Sequence, residues 1–216
     1  MTPYLSAATK AATARRALLL LALLALISAG TIMGYFSVLD LIAINRATEE
    51  DATRAFGTVR TANTLLLIAV PIIWLFLLRW LRASLRNAHA LGAEHPAVAL
   101  SALPGPLIGQ PGRLLVRHTR SLAEAHGGTG ASRPSADNGS ARWAGRLSLL
   151  VAPLWIGGLV SSHTDPAAMI WVAAGWVTLC AVAVLLRQAI AKVQLSEELQ
   201  SALITAEQVA RARTAR

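Results

Sequence analysis

The chain has 216 residues, of which 55% are hydrophobic and 14% charged, with a formal charge of +9 at neutral pH. That balance excludes an ordinary soluble domain, in which about a quarter of the residues are charged. It also points the positive charge away from nucleic acid, because most basic residues flank apolar stretches and no module with aromatic stacking positions interrupts them.

Besides the proline-broken segment 96–112, four long stretches carry no charge: 17–39, 61–78, 147–164 and 167–186. A helix rising about 1.5 Å per residue crosses about 30 Å of hydrocarbon in roughly 20 residues, so each is long enough to span a bilayer. The expected fold is an all-α integral membrane protein with four transmembrane helices. A basic N-terminus (1–16) precedes a membrane domain (17–187), and an amphipathic helix (188–216) follows it.

Lysine and arginine number three before the first run, three between the first and second, nine between the second and third, none between the third and fourth, and five after the last. Both termini and the central loop 79–146 therefore collect 17 basic residues against three on the other side. The positive side is cytoplasmic, which predicts a multi-pass plasma-membrane protein with both termini inside.

In chain order, Lys10, Arg15 and Arg16 before a leucine-rich run are also what a secretory signal looks like, but the run lasts 23 residues, against about 7–15 for a signal's apolar region. A retained anchor is the better reading. Residues 40–60 read as an extracytoplasmic connection whose Glu49, Glu50 and Asp51 form a solvated acidic loop. Their spacing is not that of a calcium loop.

In the second run Pro71 removes a backbone donor and predicts a bend. Arg79 and Trp80 then mark the interface, where a snorkelling guanidinium and an indole belong. Arg79, Arg82, Arg86 and His89 recur at steps of three and four, which continues the helix with one basic face until Gly92. The uncharged stretch 96–112 is broken by Pro104, Pro106 and Pro111, so it reads as an interfacial or re-entrant segment. Arg113, Arg117, Arg120 and Glu124 form a short amphipathic helix on the inner leaflet, and the Gly/Ser-rich linker 127–140 reads as disordered.

Arg142, Trp143 and Arg146 form an interfacial belt before the third run, where Gly157 and Gly158 permit close helix contact. Asp165-Pro166 is an N-cap and first-turn pair opening the fourth run. Cys180 reads as a buried packing residue. After the last run Ile190, Val193, Leu199, Leu203 and Ile204 alternate with Lys192, Glu197, Glu198, Gln200 and Glu207, as in a solvated helix continuing from the membrane and able to pair with a partner or with itself.

No Asp, Glu, His, Lys or Arg lies in the centre of a run. This argues against a proton-coupled carrier or intramembrane protease, and no metal, cofactor or catalytic constellation is expected. Ser28, Thr31, Thr64, Ser148 and Thr178 read as helix glue. The five histidines lack zinc spacing.

Several segments resemble an actinobacterial membrane protein family known only as domain of unknown function 4328. The stretch from Arg79-Trp80 through Arg86-Asn87 to Leu91-Gly92 looks like that family's arginine-rich run into an Asn-Ala-x-x-Leu-Gly-Ala signature. Pro104 and Pro111 look like its paired prolines, and Arg187, Ile190 and Gln194 like its closing motif. The aromatic residues that the family places before the first proline are replaced by Leu100, Ser101, Ala102 and Leu103. The resemblance covers roughly residues 65–194 and implies a shared architecture with no established activity. Two functions fit. One is a non-catalytic scaffold or regulator, binding anionic lipid or a partner through Arg79, Arg82, Arg86, Arg113, Arg117 and Arg120. The alternative is a small transporter or channel built on 96–112.

Overall fold

The computed structural model describes residues 3–90, 139–161 and 166–214. They form four α-helices: α1 (Pro3–Ala43), α2 (Glu49–Ala90), α3 (Gly139–Ser161) and α4 (Met169–Thr214), with a 3₁₀ turn at Pro166–Ala168 before α4. No strand occurs among the described residues. All four helices are long and apolar enough to cross a membrane, and leucines and isoleucines such as Leu20, Ile27, Ile68, Leu75 and Ile156 are exposed on their outer faces. An apolar exterior of this kind needs hydrocarbon around it. The chain is an all-helical, multi-pass membrane protein.

The helices outrun the uncharged stretches that nucleate them. At 1.5 Å per residue, the 41 residues of α1, 42 of α2 and 46 of α4 extend to about 60–70 Å, twice the thickness of the hydrocarbon. The N-terminal segment through Arg16 is thus part of α1. Gly139 and Ser140, expected in the linker, begin α3. The C-terminal segment continues α4 without a break. Residues 91–138, which include the 96–112 segment, and Asp165 lie outside the described residues.

The connection between α1 and α2 is a tight turn. Asn45 adopts φ 57°, a left-handed conformation that asparagine tolerates better than most residues. Its N–H donates to the Ile42 carbonyl (2.9 Å) and the Arg46 N–H to that of Leu41 (2.8 Å), which terminates α1 in a Schellman motif. Three residues on, Thr48 caps α2. Its N–H and hydroxyl both donate to Asp51 Oδ2, at 2.9 and 2.8 Å, and its Oγ accepts from the Asp51 N–H at 3.3 Å. These bonds to Thr48 hold the Asp51 carboxyl below its ordinary value. Glu49, Glu50 and Asp51 are therefore a first helical turn placed at the positive end of the helix dipole, with Glu50 paired to Arg54. This corrects the expectation of an acidic loop, whose residues carry a capping signature.

In the bundle, α1 packs on both α2 and α4, and α3 packs on α4. At Gly158 α3 and α4 approach tightly, and a Cβ there would lie 2.7 Å from the Val172 backbone nitrogen. Trp155 and Trp176 meet one turn away, with ring centroids 5.9 Å apart. On the other side, the rings of Tyr35 of α1 and Phe56 of α2 meet at a tilt, with centroids 5.6 Å apart. Phe56 precedes the uncharged run of its own helix while Tyr35 lies inside that of α1, so the two runs are staggered along the bundle axis.

Candidate functional site

Beyond the second uncharged run, α2 presents two faces. Arg79, Arg82 and Arg86 are exposed, whereas Trp80, Ser84 and Asn87 are buried. The i, i+4, i+7 spacing of the buried set places it on one stripe of the helix, turned toward α4. Trp80 is only 1% exposed, so its indole packs in the bundle; this corrects its expected place among lipid headgroups.

Opposite this stripe, α4 brings in Glu197, 6% exposed. The Ser84 hydroxyl donates to Glu197 Oε1, and Asn87 Nδ2 donates to Oε2 at 3.4 Å. A carboxylate at this depth needs such donors, because an uncompensated buried charge is costly. The amphipathic reading of 188–216 set Glu197 on the solvated side, and packing reverses it. The other family-motif residues of α4 divide in the same way: Ile190 is fully buried, Arg187 and Gln194 are half-buried, and Gln194 Nε2 donates to Glu198 Oε1 at 3.0 Å.

A second polar link joins the same helices near their other end, where Trp176 Nε1–H donates to Asn63 Oδ1 at 2.8 Å. Both links join residues 113 positions apart. They lie 21 residues apart along each helix, about 31 Å, close to the thickness of the hydrocarbon.

Between the two links, α2 and α4 meet through side chains and leave a cavity of about 50 Å³. From α2 come Val70, Ile73, Trp74 and Leu77; from α4 Leu179, Ala183 and Leu186. Leu18 and Leu21 of α1 and Ser148 and Val151 of α3 also line it. The Ser148 hydroxyl donates to the Gly145 carbonyl of its own helix, 3.0 Å away, so the lining is apolar in effect. The hydroxyls of Thr31, Thr64 and Thr178 likewise bond carbonyls of their own helices. Cys180 is partly buried against the core, less enclosed than expected.

Arg15 lies three residues before Leu18 on the same face of α1. Its Nε is the buried side-chain nitrogen that has no hydrogen-bond partner among the described residues. Arg15, Arg79, Arg82 and Arg86 form no ion pair with a described carboxylate. Nearby, the Arg146 guanidinium lies 5.2 Å over the exposed ring of Trp143, in keeping with an interfacial belt.

Of the residues that the sequence singles out, Trp80, Asn87 and Ile190 converge in the helix contacts and Arg79, Arg82 and Arg86 form an outward face. Leu91, Gly92, Pro104, Pro111, Arg113, Arg117 and Arg120 lie outside the described residues. Sequence reasoning missed Ser84, Glu197, Asn63 and Arg15. For Ser84 a signal existed, since it falls between Trp80 and Asn87 on the stripe opposite the arginines. No family model, curated protein or solved structure matches the chain.

Proposed function

We propose that this protein is a non-catalytic membrane scaffold or regulator of the plasma membrane, with both termini cytoplasmic and a basic face that binds anionic lipid headgroups. The observation that carries this reading is the outward row of Arg79, Arg82 and Arg86, which form no ion pair with a described carboxylate, on a helix whose opposite stripe buries Trp80, Ser84 and Asn87. Guanidinium groups held by a rigid helix at the edge of a bilayer gain about 1 kcal/mol each from an anionic leaflet. They also suit phosphate geometry, which rewards a planar fork of donors. The resemblance to the uncharacterised actinobacterial family belongs to this reading, as does a protein partner or second copy engaged through the part of α4 after residue 188.

The test uses the full chain in mixed-lipid nanodiscs, counting phosphatidylglycerol and phosphatidylcholine retained on extraction at low and high salt. Enrichment of the anionic lipid should fall with salt. Replacing Arg79, Arg82 and Arg86 together by Gln should lower anionic affinity on the order of a hundredfold. Equal retention of the two lipids by the native protein would remove lipid binding from the proposal.

A further inference from the structure

Beyond its uncharged run α4 presents two stripes. One holds Ile190, Val193 and Glu197 and is buried in the bundle. The other holds Leu195, Leu199, Ala202, Ala206 and Val209, all exposed, Leu195 by 58% and Leu199 by 53%. These five recur at steps of four, three, four and three, the 3.5-residue repeat of a coiled-coil seam, with Leu199 and Ala206 at a positions and Leu195, Ala202 and Val209 at d positions. Traced back by the same steps the stripe reaches Lys192 and then Gln188, whose Oε1 accepts from the Ser140 hydroxyl at the start of α3, 3.3 Å away. The stripe is therefore the α3 side of α4, carried on past the level at which α3 begins.

We infer that a second copy of this chain covers the stripe, its α4 parallel and in register so that each of the five residues meets its own counterpart. Leu195 lies nine residues past Leu186, about 13 Å beyond the end of the uncharged run. Glu197 ties α4 to Ser84 and Asn87 of α2, so the helix does not lie flat on the bilayer to bury this stripe in lipid. The spacing fits another helix instead. Ala202, Thr205, Ala206 and Val209 border an open hollow, and these are the d, g, a and d positions that receive an a-position side chain from a parallel partner. A second copy in the same membrane offers the same stripe at the same height and in the same direction, and their confinement to one bilayer raises the local concentration enough for so short a seam. Beside the seam stand Ser196, Glu198, Thr205 and Ala210. The one charge among them, Glu198, accepts from Gln194 of its own helix and stands on opposite edges of a parallel seam in the two copies, so pairing forces no like charges together between residues 195 and 209. The inference deepens the self-association part of the reading above and rests on it, independently of the arginine row.

Disulfide cross-linking of the full chain in phosphatidylcholine vesicles reads the seam directly. In a Cys180→Ser background, single cysteines replace Leu195, Leu199, Ala202, Ala206 or Val209 on the stripe, or Gln194 or Ser201 off it, and the covalent dimer is quantified after mild oxidation. A disulfide needs Cα atoms within about 7 Å, so the stripe positions should cross-link roughly tenfold more than Gln194 and Ser201. Copies carrying Leu195→Cys, mixed with copies carrying Val209→Cys, should form no disulfide between the two positions, as parallel register requires. Leu199→Glu, made at an exposed position outside the bundle contacts, should lower cross-linking at Ala202 and Val209 on the order of tenfold while the helical circular dichroism is unchanged. Replacing Arg79, Arg82 and Arg86 by Gln should leave the pattern in place even where anionic lipid is lost. Equal cross-linking on and off the stripe, none at any position, a disulfide between 195 and 209, or a pattern that survives Leu199→Glu overturns the inference without touching the arginine face.

Discussion

At Gly158 the absence of a side chain is what sets the distance between two helices. A Cβ there would press on the Val172 nitrogen at 2.7 Å and on the Val172 side chain at 2.8 Å, and backbone cannot rotate out of the way. Gly158→Leu should therefore destabilise the α3–α4 contact by about 1–3 kcal/mol or more, read as a lowered thermal midpoint in detergent. Gly157→Ala is the contrasting variant, since nothing lies within 4 Å of its added methyl, and it should not lower the midpoint. The sequence marks both glycines as permissive of contact and gives no means of ranking them. Which one faces α4 depends on the rotation of α3, set by all the side chains along the interface together. Glu197 teaches the same lesson from the polar side: its residue type predicts solvent, and its helix rotation puts it against Ser84 and Asn87.

At the scale of elements, α2 and α4 are joined by hydrogen bonds at both ends of an apolar slot. In such an arrangement each polar link is strong relative to its surroundings, because the competing solvent is excluded. Glu197→Ala removes the acceptor from two buried donors, at a cost of about 1–3 kcal/mol for each group left without a partner. The expected outcome is a loosening of the extensions of α2 and α4. Spin labels at the exposed positions Arg82 and Leu199 should show a broadened distance distribution in Glu197→Ala, and one close to native in Glu197→Gln, which retains a side-chain carbonyl acceptor. An unchanged distribution in Glu197→Ala would mean that apolar packing alone, through Trp80, Ile190 and Val193, aligns these helices. The turn between α1 and α2 was expected as a solvated acidic loop, although its signals are local: Asn45 stops one helix and Thr48 with Asp51 starts the next, each satisfied within a few residues by backbone chemistry.

For the whole molecule, the proposed orientation rests on the distribution of basic residues, and labelling tests it. In a Cys180→Ser background, a cysteine at Arg46 should react with a membrane-impermeant maleimide on intact cells. One at Leu199 should react only after lysis; the opposite pattern would reverse the proposed topology. The four helices long enough to span a membrane and their composition were available without coordinates, as was the uneven spread of basic residues among the connections. Each depends on the free energy of transferring a run of residues into hydrocarbon, a quantity summed along the chain. How the runs are staggered, which arginine has its Nε enclosed and which stripe of α2 meets α4 are matters of a different kind. They depend on contacts between residues about twenty to more than a hundred positions apart, such as Tyr35 with Phe56 and Ser84 with Glu197. Composition and periodicity place a residue on a helix face, but the face acquires a neighbour only when the helices pack.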